Sequence, residues 1–508
     1  MRSQSEEMLL LLVIALIFLV SVLLYYSSKK PHNYPPGPPW LPVVGSLPYV
    51  RRFSKRVGRG QHDVLREMCK HWNTNVLGLK AGEQLLVAVC DYPIIKKMLD
   101  SEVYNARPNN FFGKLRTIGS GPGITCAEGK LWVEQKRFIV RHLRDIGLGK
   151  EIMEEKIREE IEDVTCAIDE QNGTVEIGRL VQPAVINLIW FLVAGARIKK
   201  NEAQFERLLE LLERRSNVFD MAGGKLGYFP WLRFIVPEAI GYNLIKRLNA
   251  ELNEFLMETI EDHQRRWVEG CESDLMYAFI TQMKAMGGAS TNFTSEQLLM
   301  VCLDLFVAGA HSTSSTLDYA FLMMLLHPDV QLKVQQILDA NFGREHKFSY
   351  PDWRRVPYVQ AVLLEVQRYC SVIPIASRRV YKDVVLEGYN IPKDTTVLVN
   401  LQAVLMDETI WGDPRVFRPE RFLDGDKLAS FDEFVPFSTG RRKCLGEPFA
   451  KTCLFIFFAE IIRKYSIVPL KGRPLPTTAP LPGIIALPQR YSAQFIRRSE
   501  LYVNIKVV

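Results

Sequence analysis

The segment Phe437–Gly446 reads FSTGRRKCLG and runs directly into an apolar stretch that opens at Pro448. Physically, it is a glycine-punctuated loop that delivers Cys444 to the start of a helix. Pro448 falls in the first turn, where a missing backbone N–H is tolerated. A thiolate there is favoured by the helix N-terminus and by Arg441, Arg442 and Lys443 beside it. Gly440 and Gly446 permit tight turns and a close approach of the backbone to a flat cofactor. On this chemistry alone Cys444 is a metal ligand, a nucleophile or a packed thiol.

The spacing selects among these. F-x-x-G-x-R-x-C-x-G fixes five positions, and at average residue usage a chance match in a chain of this length is on the order of one in ten thousand. The segment resembles the proximal haem loop of the cytochrome P450 family, the haem-thiolate monooxygenases. The resemblance implies haem b with Cys444 as the axial iron ligand, Phe437 shielding the sulfur, Gly440 and Gly446 shaping the loop, and Arg442 on a haem propionate. A thiolate pushes electron density onto the iron and favours O–O cleavage. Glu365-Val366-Gln367-Arg368 puts an acid and a base at i and i+3 on one helix face. Phe417-Arg418-Pro419-Glu420-Arg421-Phe422 is similar to the family's second fold motif. The resemblance implies that Arg421 joins Glu365 and Arg368 in a buried structural network, in which losing one member leaves a charge unpaired. Trp132-Val133-Glu134-Gln135-Lys136-Arg137 resembles the family's W-x-x-x-R propionate helix, with Lys136 at the Arg position. Charge is kept while the bidentate fork is lost, so the contact falls to Lys136 or to Arg137. Arg378, after the turn Val372 to Ser377, is a further propionate candidate.

A helix is predicted from Thr294, which forms a capping box with Gln297, to Leu326 before His327-Pro328. It spans about 50 Å and is apolar on both faces, so it belongs at the centre of the body. Relatives carry a small residue, Gly, any residue, an acid and Thr on this helix; here the stretch is Ala308-Gly309-Ala310-His311-Ser312-Thr313. The resemblance implies a proton relay at the acid and hydroxyl positions, and Ser312 and His311 have the chemistry for it. Alternatives are a relay hydroxyl at Thr313, a relay weakened as in members that rearrange peroxides or epoxides, and a His311 turned from the haem and satisfied elsewhere.

The 508 residues are 47% hydrophobic, 10% aromatic and 24% charged, which excludes a disordered, collagen-like or disulfide-scaffold chain. A net charge of +7 is far from a nucleic-acid tail. The nine cysteines are scattered without C-x-x-C spacing, so a reduced compartment is expected and a cysteine-built zinc site is not. Met8 to Tyr26 carries no charge and as a helix matches a hydrocarbon core of about 30 Å. A retained single-pass anchor is predicted rather than a cleaved signal peptide. Lys29, Lys30, Arg51, Arg52, Lys55, Arg56 and Arg59 after it keep the body cytosolic, and the sequons at Asn172 and Asn292 are then coincidences. The expected organisation is a membrane anchor over 1–30, a proline-rich hinge over 31–45 containing Tyr34 to Trp40, and one haem-thiolate domain over 46–508. Helical periodicity at Lys150–Ile168, Ala203–Phe219, Asn243–Arg266 and Cys453–Lys464 dominates. Short strands are read at Asn75–Leu79, Leu85–Val89 and Thr396–Asn400, giving a mainly α fold with a small β part.

With no flavin or nicotinamide fingerprint in the chain, the electrons must come from a partner. The resemblance implies NADPH-cytochrome P450 reductase, with cytochrome b5 as a second donor, at the endoplasmic reticulum membrane. Lys130, Lys136, Arg137, Arg141, Arg144 and Lys150 with Arg441 and Lys443 make a candidate docking face. Leu226 to Val236 either dips into the bilayer, as in relatives, or is buried in the body. Pocket candidates by resemblance are Phe112, Leu115, Phe306, Ala308, Ala310, Val372, Ile375 and the stretch Leu481 to Ile484. They suit a terpenoid, steroid or fatty acyl substrate. Trp132 to Gly149 and Trp231 to Asn243 look most like insect microsomal members, the group that includes methyl farnesoate epoxidase. Competing readings are a haem-thiolate isomerase or dehydratase working without reductase, and a catalytically silent haem- or lipid-binding membrane protein.

Overall fold

The computed structural model describes residues 2–58, 60–117, 121–147, 150–198, 206–207, 209–210, 212–214, 223–286, 292–343, 345–481 and 483–499. The first helix, α1 (Arg2–Ser28), contains a span, Glu6–Ser28, long and apolar enough to cross a membrane, with its apolar side chains exposed. The proline-rich stretch after it is seated on the sheet rather than free. Tyr34 Oη donates to the Leu86 carbonyl at 2.9 Å, Gly78 N donates to the Pro36 carbonyl at 2.8 Å, and Tyr34 meets Trp40 edge to face at 5.4 Å.

The main elements that follow are α2 (Gln61–His71), β1 (Val76–Ala81), β2 (Gln84–Val89), α3 (Gly129–Ile146), α4 (Glu151–Glu170), α5 (Ile177–Ala194), α6 (Tyr242–Arg266), α7 (Leu275–Ala285) and α8 (Ser295–Leu326). After them come α9 (Pro328–Asn341), α10 (Pro357–Cys370), β3 (Ile375–Arg379), β4 (Thr396–Asn400) and α11 (Glu447–Lys464), with shorter pieces between. The fold is mainly helical with a small sheet, as expected. The sheet order is β1-β2-β4-β3: a hairpin, a parallel pairing of β2 with β4, and an antiparallel pairing of β3 with β4 in which Ile375 faces Asn400. β3 was read from sequence as part of a turn. Its ladder to β4 is a tertiary pairing, and Ser377-Arg378-Arg379 carries no alternating apolar signature to announce it. The predicted helix Ala203–Phe219 lies for the most part outside the described residues.

α8 runs through the centre, packed against α5, α6, α10 and α11. Thr294 caps it, accepting from Gln297 N at 3.2 Å. The reciprocal half of the expected capping box does not form. The Gln297 amide instead clasps the backbone of Gly123, accepting from its N at 3.2 Å and donating to its O at 2.8 Å. About two turns further along, the Asp304 carboxylate accepts from Ile124 N and Thr125 N at 2.9 and 2.7 Å. Two points on α8 thus fasten the loop that leads to Trp132.

Candidate active site

The cysteine loop is built by short-range backbone bonds: Ser438 N to Val435 O at 3.0 Å, Cys444 N to Phe437 O at 3.0 Å and Lys443 N to Gly440 O at 3.1 Å. Gly440 has a φ of +73°, and a Cβ on it would come within 2.3 Å of the Leu99 carbonyl oxygen, so both conformation and space require glycine. Gly446 differs from expectation. Its φ of −84° is open to any residue, and its value is that no side chain intrudes on the cavity it lines.

Cys444 opens onto a cavity of about 570 Å³ between the cysteine loop, α8, β3 and the loop before α3. The expected electrostatic support for its thiolate is weak. Arg441 is paired with Glu102, Lys443 is paired with Glu447 at 2.7 Å, and the Arg442 guanidinium is turned to the Ala127 carbonyl. Desolvation therefore pushes the Cys444 thiol above its ordinary value, against the N–H groups of Gly446 and Glu447. Proton loss from such a sulfur calls for a cation bound directly to it, which is what a coordinating metal supplies.

Three guanidiniums, those of Arg107, Arg378 and Arg442, line the same cavity. Arg442 reaches the Asn105 carbonyl at 3.1 Å and lies 4.1 Å over the Trp132 ring. Arg378, 2% exposed, donates from Nη1 to the Ser377 carbonyl at 2.9 Å, and its buried Nε has no partner. Arg107 also donates to the Ser377 carbonyl, at 3.1 Å. Burial and the neighbouring cations drive the Arg442 pKa down to about 9 and that of Arg378 well below its ordinary value. Glu128, an acid close by, is engaged by Arg379 at 2.8 Å and by Arg107 N at 2.7 Å. A buried cationic cluster supported by carbonyls, sharing one cavity with an accessible sulfur, fits an iron porphyrin whose acidic side arms lie against the arginines. Haem b held by a thiolate is the cofactor.

Sequence reasoning missed Arg107. It reaches the site only because Ala106 bridges to Arg379, a contact with no local signature. Trp132 lines the cavity as expected. Neither Lys136 nor Arg137 does. Lys136 Nζ sits 4.8 Å from the Trp132 ring and donates to the Arg441 carbonyl at 3.1 Å, while Arg137, about 100° further round α3, is exposed. The charge expected from that helix comes instead from Arg107.

On α8 the cavity is lined by Leu305, Ala308, Gly309, Ser312 and Thr316, an i, i+3, i+4 stripe, together with Asp304, Val307 and His311. Ser312 Oγ donates to the Ala308 carbonyl at 2.9 Å. Thr313 also borders the cavity and is buried. The buried His311 ring engages Gln182 of α5, with its Nδ1 2.9 Å from Gln182 Nε2. Gln182 is a second residue that no motif indicated. Gly309 lets α5 approach, since a Cβ there would fall 2.0 Å from Ile189 Cδ1.

Phe112, Val372, Ile375 and Ile484 line the cavity as predicted, and Phe437 of the cysteine loop borders it too. Three candidates do not. Phe306, about 100° off the stripe, packs edge-on against Trp190 at 6.0 Å. Leu115 joins the cluster of Leu226, Ile240 and Ile245. Leu481 is turned aside by its backbone bond to the Leu487 carbonyl at 2.8 Å. The Ala310 side chain lies outside the described residues.

Behind the cysteine loop, Glu365, Arg368 and Arg421 come together as expected. Glu365 Oε2 accepts from Arg368 Nε at 2.7 Å. Oε1 accepts from Arg368 Nη2 at 2.8 Å, Arg418 N at 2.9 Å and Arg421 Nε at 3.1 Å. Glu365 and Arg368 are fully buried.

The sequence model described as Cytochrome P450 matches residues 35–495. Among curated proteins, the chain is 38% identical to a probable cytochrome P450 305a1 of Drosophila melanogaster over 93% of this chain and 95% of that one. It is 35% identical to cytochrome P450 2J5 of Mus musculus over 87% of each, and 32% identical to a farnesoate epoxidase of Bombyx mori over 89% and 91%. With a matching sequence model along nearly its whole length and a thiol and three arginines lining one cavity, the chain belongs to the cytochrome P450 family of haem-thiolate monooxygenases.

Proposed function

We propose that this enzyme hydroxylates or epoxidises a lipophilic substrate of the terpenoid, steroid or fatty acyl class, using electrons from NADPH-cytochrome P450 reductase. The observation that carries this reading is the apolar wall of Phe112, Val372, Ile375 and Ile484 on the cavity that Cys444 borders. Such a wall recognises a substrate by the water it releases and offers few polar groups to orient it. Residues 1–30 serve as a single-pass anchor in the endoplasmic reticulum membrane, 31–45 as a packed connection and 46–508 as the catalytic domain on the cytosolic side. Trp231, Phe234 and Ile235 are 49%, 76% and 66% exposed, which supports the bilayer-dipping reading of Leu226 to Val236 over burial. Lys130, Arg137, Arg141 and Arg144 are exposed near Arg441 and Lys443, a surface suited to an acidic reductase or to cytochrome b5.

Bound haem supplies activation of O2 and transfer of one oxygen atom. In our reading Cys444 holds its iron, Phe437 shields the sulfur, and Arg442, Arg378, Arg107 and Trp132 seat the propionates. Ser312, on the cavity face, handles protons. Its Oγ–H is held on the Ala308 carbonyl and its lone pairs remain for a water, with Thr313 as the neighbouring hydroxyl. His311 borders the cavity beside it, and Gln182 fixes the orientation of its ring.

The test is made on purified full-length protein with reductase, NADPH and a lipophilic panel that includes farnesoate, after the name of one relative. Expected are the long-wavelength Soret band of the reduced carbon monoxide complex, abolished in Cys444→Ala, and NADPH-dependent oxygenated product. Ser312→Ala should divert electrons from product to hydrogen peroxide. Turnover of hydroperoxide without NADPH, and no product with it, would overturn the monooxygenase reading in favour of an isomerase.

A further inference from the structure

Two cysteines outside the haem site lie sulfur to sulfur. Cys69 is near the end of α2, Cys90 directly follows β2, and Cys69 Sγ donates to Cys90 Sγ at 3.3 Å. A disulfide would shorten that separation to about 2.0 Å. Backbone bonds tie down both neighbourhoods, from Thr74 N to the Cys69 carbonyl at 3.0 Å and from Cys90 N to the Asn75 carbonyl at 3.2 Å. The two sulfurs are chemically unequal. Cys90 Sγ accepts from Cys69 and also faces Asn400 Nδ2 at 3.6 Å, so two donors meet on one sulfur. Asn400 is itself fixed, donating to the His62 carbonyl at 2.8 Å and accepting from Ala403 N at 3.1 Å. Cys69 is 5% exposed, whereas Cys90 is half-buried, so a small reagent meets Cys90 first. The Cys90 sulfur and burial together hold the Cys69 proton in place far above the ordinary thiol range.

We propose that Cys69 and Cys90 form a modification site, a dithiol that hydrogen peroxide converts to an intramolecular disulfide, with Cys90 attacking and Cys69 resolving. The Cys90 sulfur attacks one peroxide oxygen and the O–O bond breaks. This leaves Cys90 as a sulfenic acid, and the other oxygen departs as water with the thiol proton. The Cys69 sulfur then attacks the Cys90 sulfur, the S–O bond breaks, and the second water leaves with the Cys69 proton. Two thiols and one peroxide become one disulfide and two waters, with two electrons passing from sulfur to oxygen. The product staples α2 to β2. Its effect reaches the cavity wall through Asn400, which pairs across the sheet with the cavity-lining Ile375.

Full-length holoprotein, wild type and the Cys69→Ser and Cys90→Ser variants, is treated with graded hydrogen peroxide, alkylated and digested without reduction. In wild type the peptide bearing Cys69 should be recovered joined to that bearing Cys90, at least tenfold above the untreated sample and reversed by a phosphine. Cys69→Ser should leave a sulfenic acid on Cys90 that dimedone traps, and Cys90→Ser should leave Cys69 alkylatable. The exposed Cys166 and Cys271 set the dose. If both thiols stay alkylatable in wild type when those two are oxidised, the site does not exist. Dimedone on Cys69 in Cys90→Ser would overturn the assigned order.

Discussion

Replacing Glu365 by Gln keeps the shape of the side chain and removes its charge, in a place where the cost can be worked out atom by atom. The carboxylate takes four donors, one on Oε2 and three on Oε1. An amide offers one oxygen. Placed at Oε1 it keeps three donors and sets its NH2 against Arg368 Nε; placed at Oε2 it keeps one and opposes three. Even the better arrangement leaves the Arg368 guanidinium, fully buried, facing a neutral group and a donor. Its other acceptors are the Leu405 and Pro414 carbonyls, which carry no compensating charge. Breaking a buried ion pair from one side costs about 3–5 kcal/mol, a large part of the margin of a natural protein. Glu365→Gln should therefore lower the unfolding free energy read from urea titration by that amount and yield mostly protein without the thiolate Soret band. Arg421→Lys keeps the charge but loses the fork that also reaches the Trp411 and Val416 carbonyls, and should cost less. If Glu365→Gln retained full haem and changed the unfolding free energy by under about 0.5 kcal/mol, the range of an unremarkable surface change, the network would not carry the core.

Arg378→Leu should move two properties in opposite directions. Removing a desolvated charge stabilises the haem-free protein by about 1–4 kcal/mol, while losing a charge-assisted bond speeds haem release by about 10- to 100-fold; urea titration and transfer of haem to an acceptor protein read the two. Gly309→Ala should cost about 1–3 kcal/mol by overpacking against Ile189 Cδ1. Ile189→Val removes that carbon, so the double variant should be more stable than Gly309→Ala alone, and additive losses in denaturation would refute the contact. Asp318, whose Oδ1 is buried without a partner, has its carboxyl pushed up to about 7 by burial. A folded value above the unfolded one of about 3.9 means the native state holds more protons between those values, so stability falls as pH rises from about 4 to 7. Asp318→Asn should flatten that slope in thermal melts and leave the variant the more stable above pH 7.

What the sequence disclosed depended on how local the cause was. Cys444, Phe437 and Gly440 lie within eight residues, and their spacing alone specified a loop of fixed shape. The central burial of α8 followed from apolar faces all round, and Thr396–Asn400 from a short run rich in β-branched residues. Arg107, Gln182 and β3 were not legible, because each acquires its role from a partner far along the chain: Arg379, His311 and β4. Phe306 was misassigned for a related reason. Period alone says that α8 has two apolar faces, and only the position of α5 decides that Leu305 and Ala308 face the cavity while Phe306 faces Trp190. Lys136 and Arg137 failed because a pattern permits a charge at a position without specifying which way a helix rolls.

The sulfur and the arginines of the cavity share one electrostatic problem. At the sulfur, burial resists the negative form of Cys444, and the flanking bases are committed to Glu102 and Glu447. Among the arginines, burial resists the positive forms of Arg378 and Arg442, and repulsion from Arg107 adds to it for both. Each penalty alone would favour replacing the residue by an apolar one. A single group that is cationic at its centre and anionic at its edge offsets both, and no simple ion can do so. The same residues that select haem thus make folding and haem binding one linked equilibrium. This is why Arg378→Leu, which relieves one penalty without haem, is expected to strengthen the fold and weaken the grip on the cofactor at once.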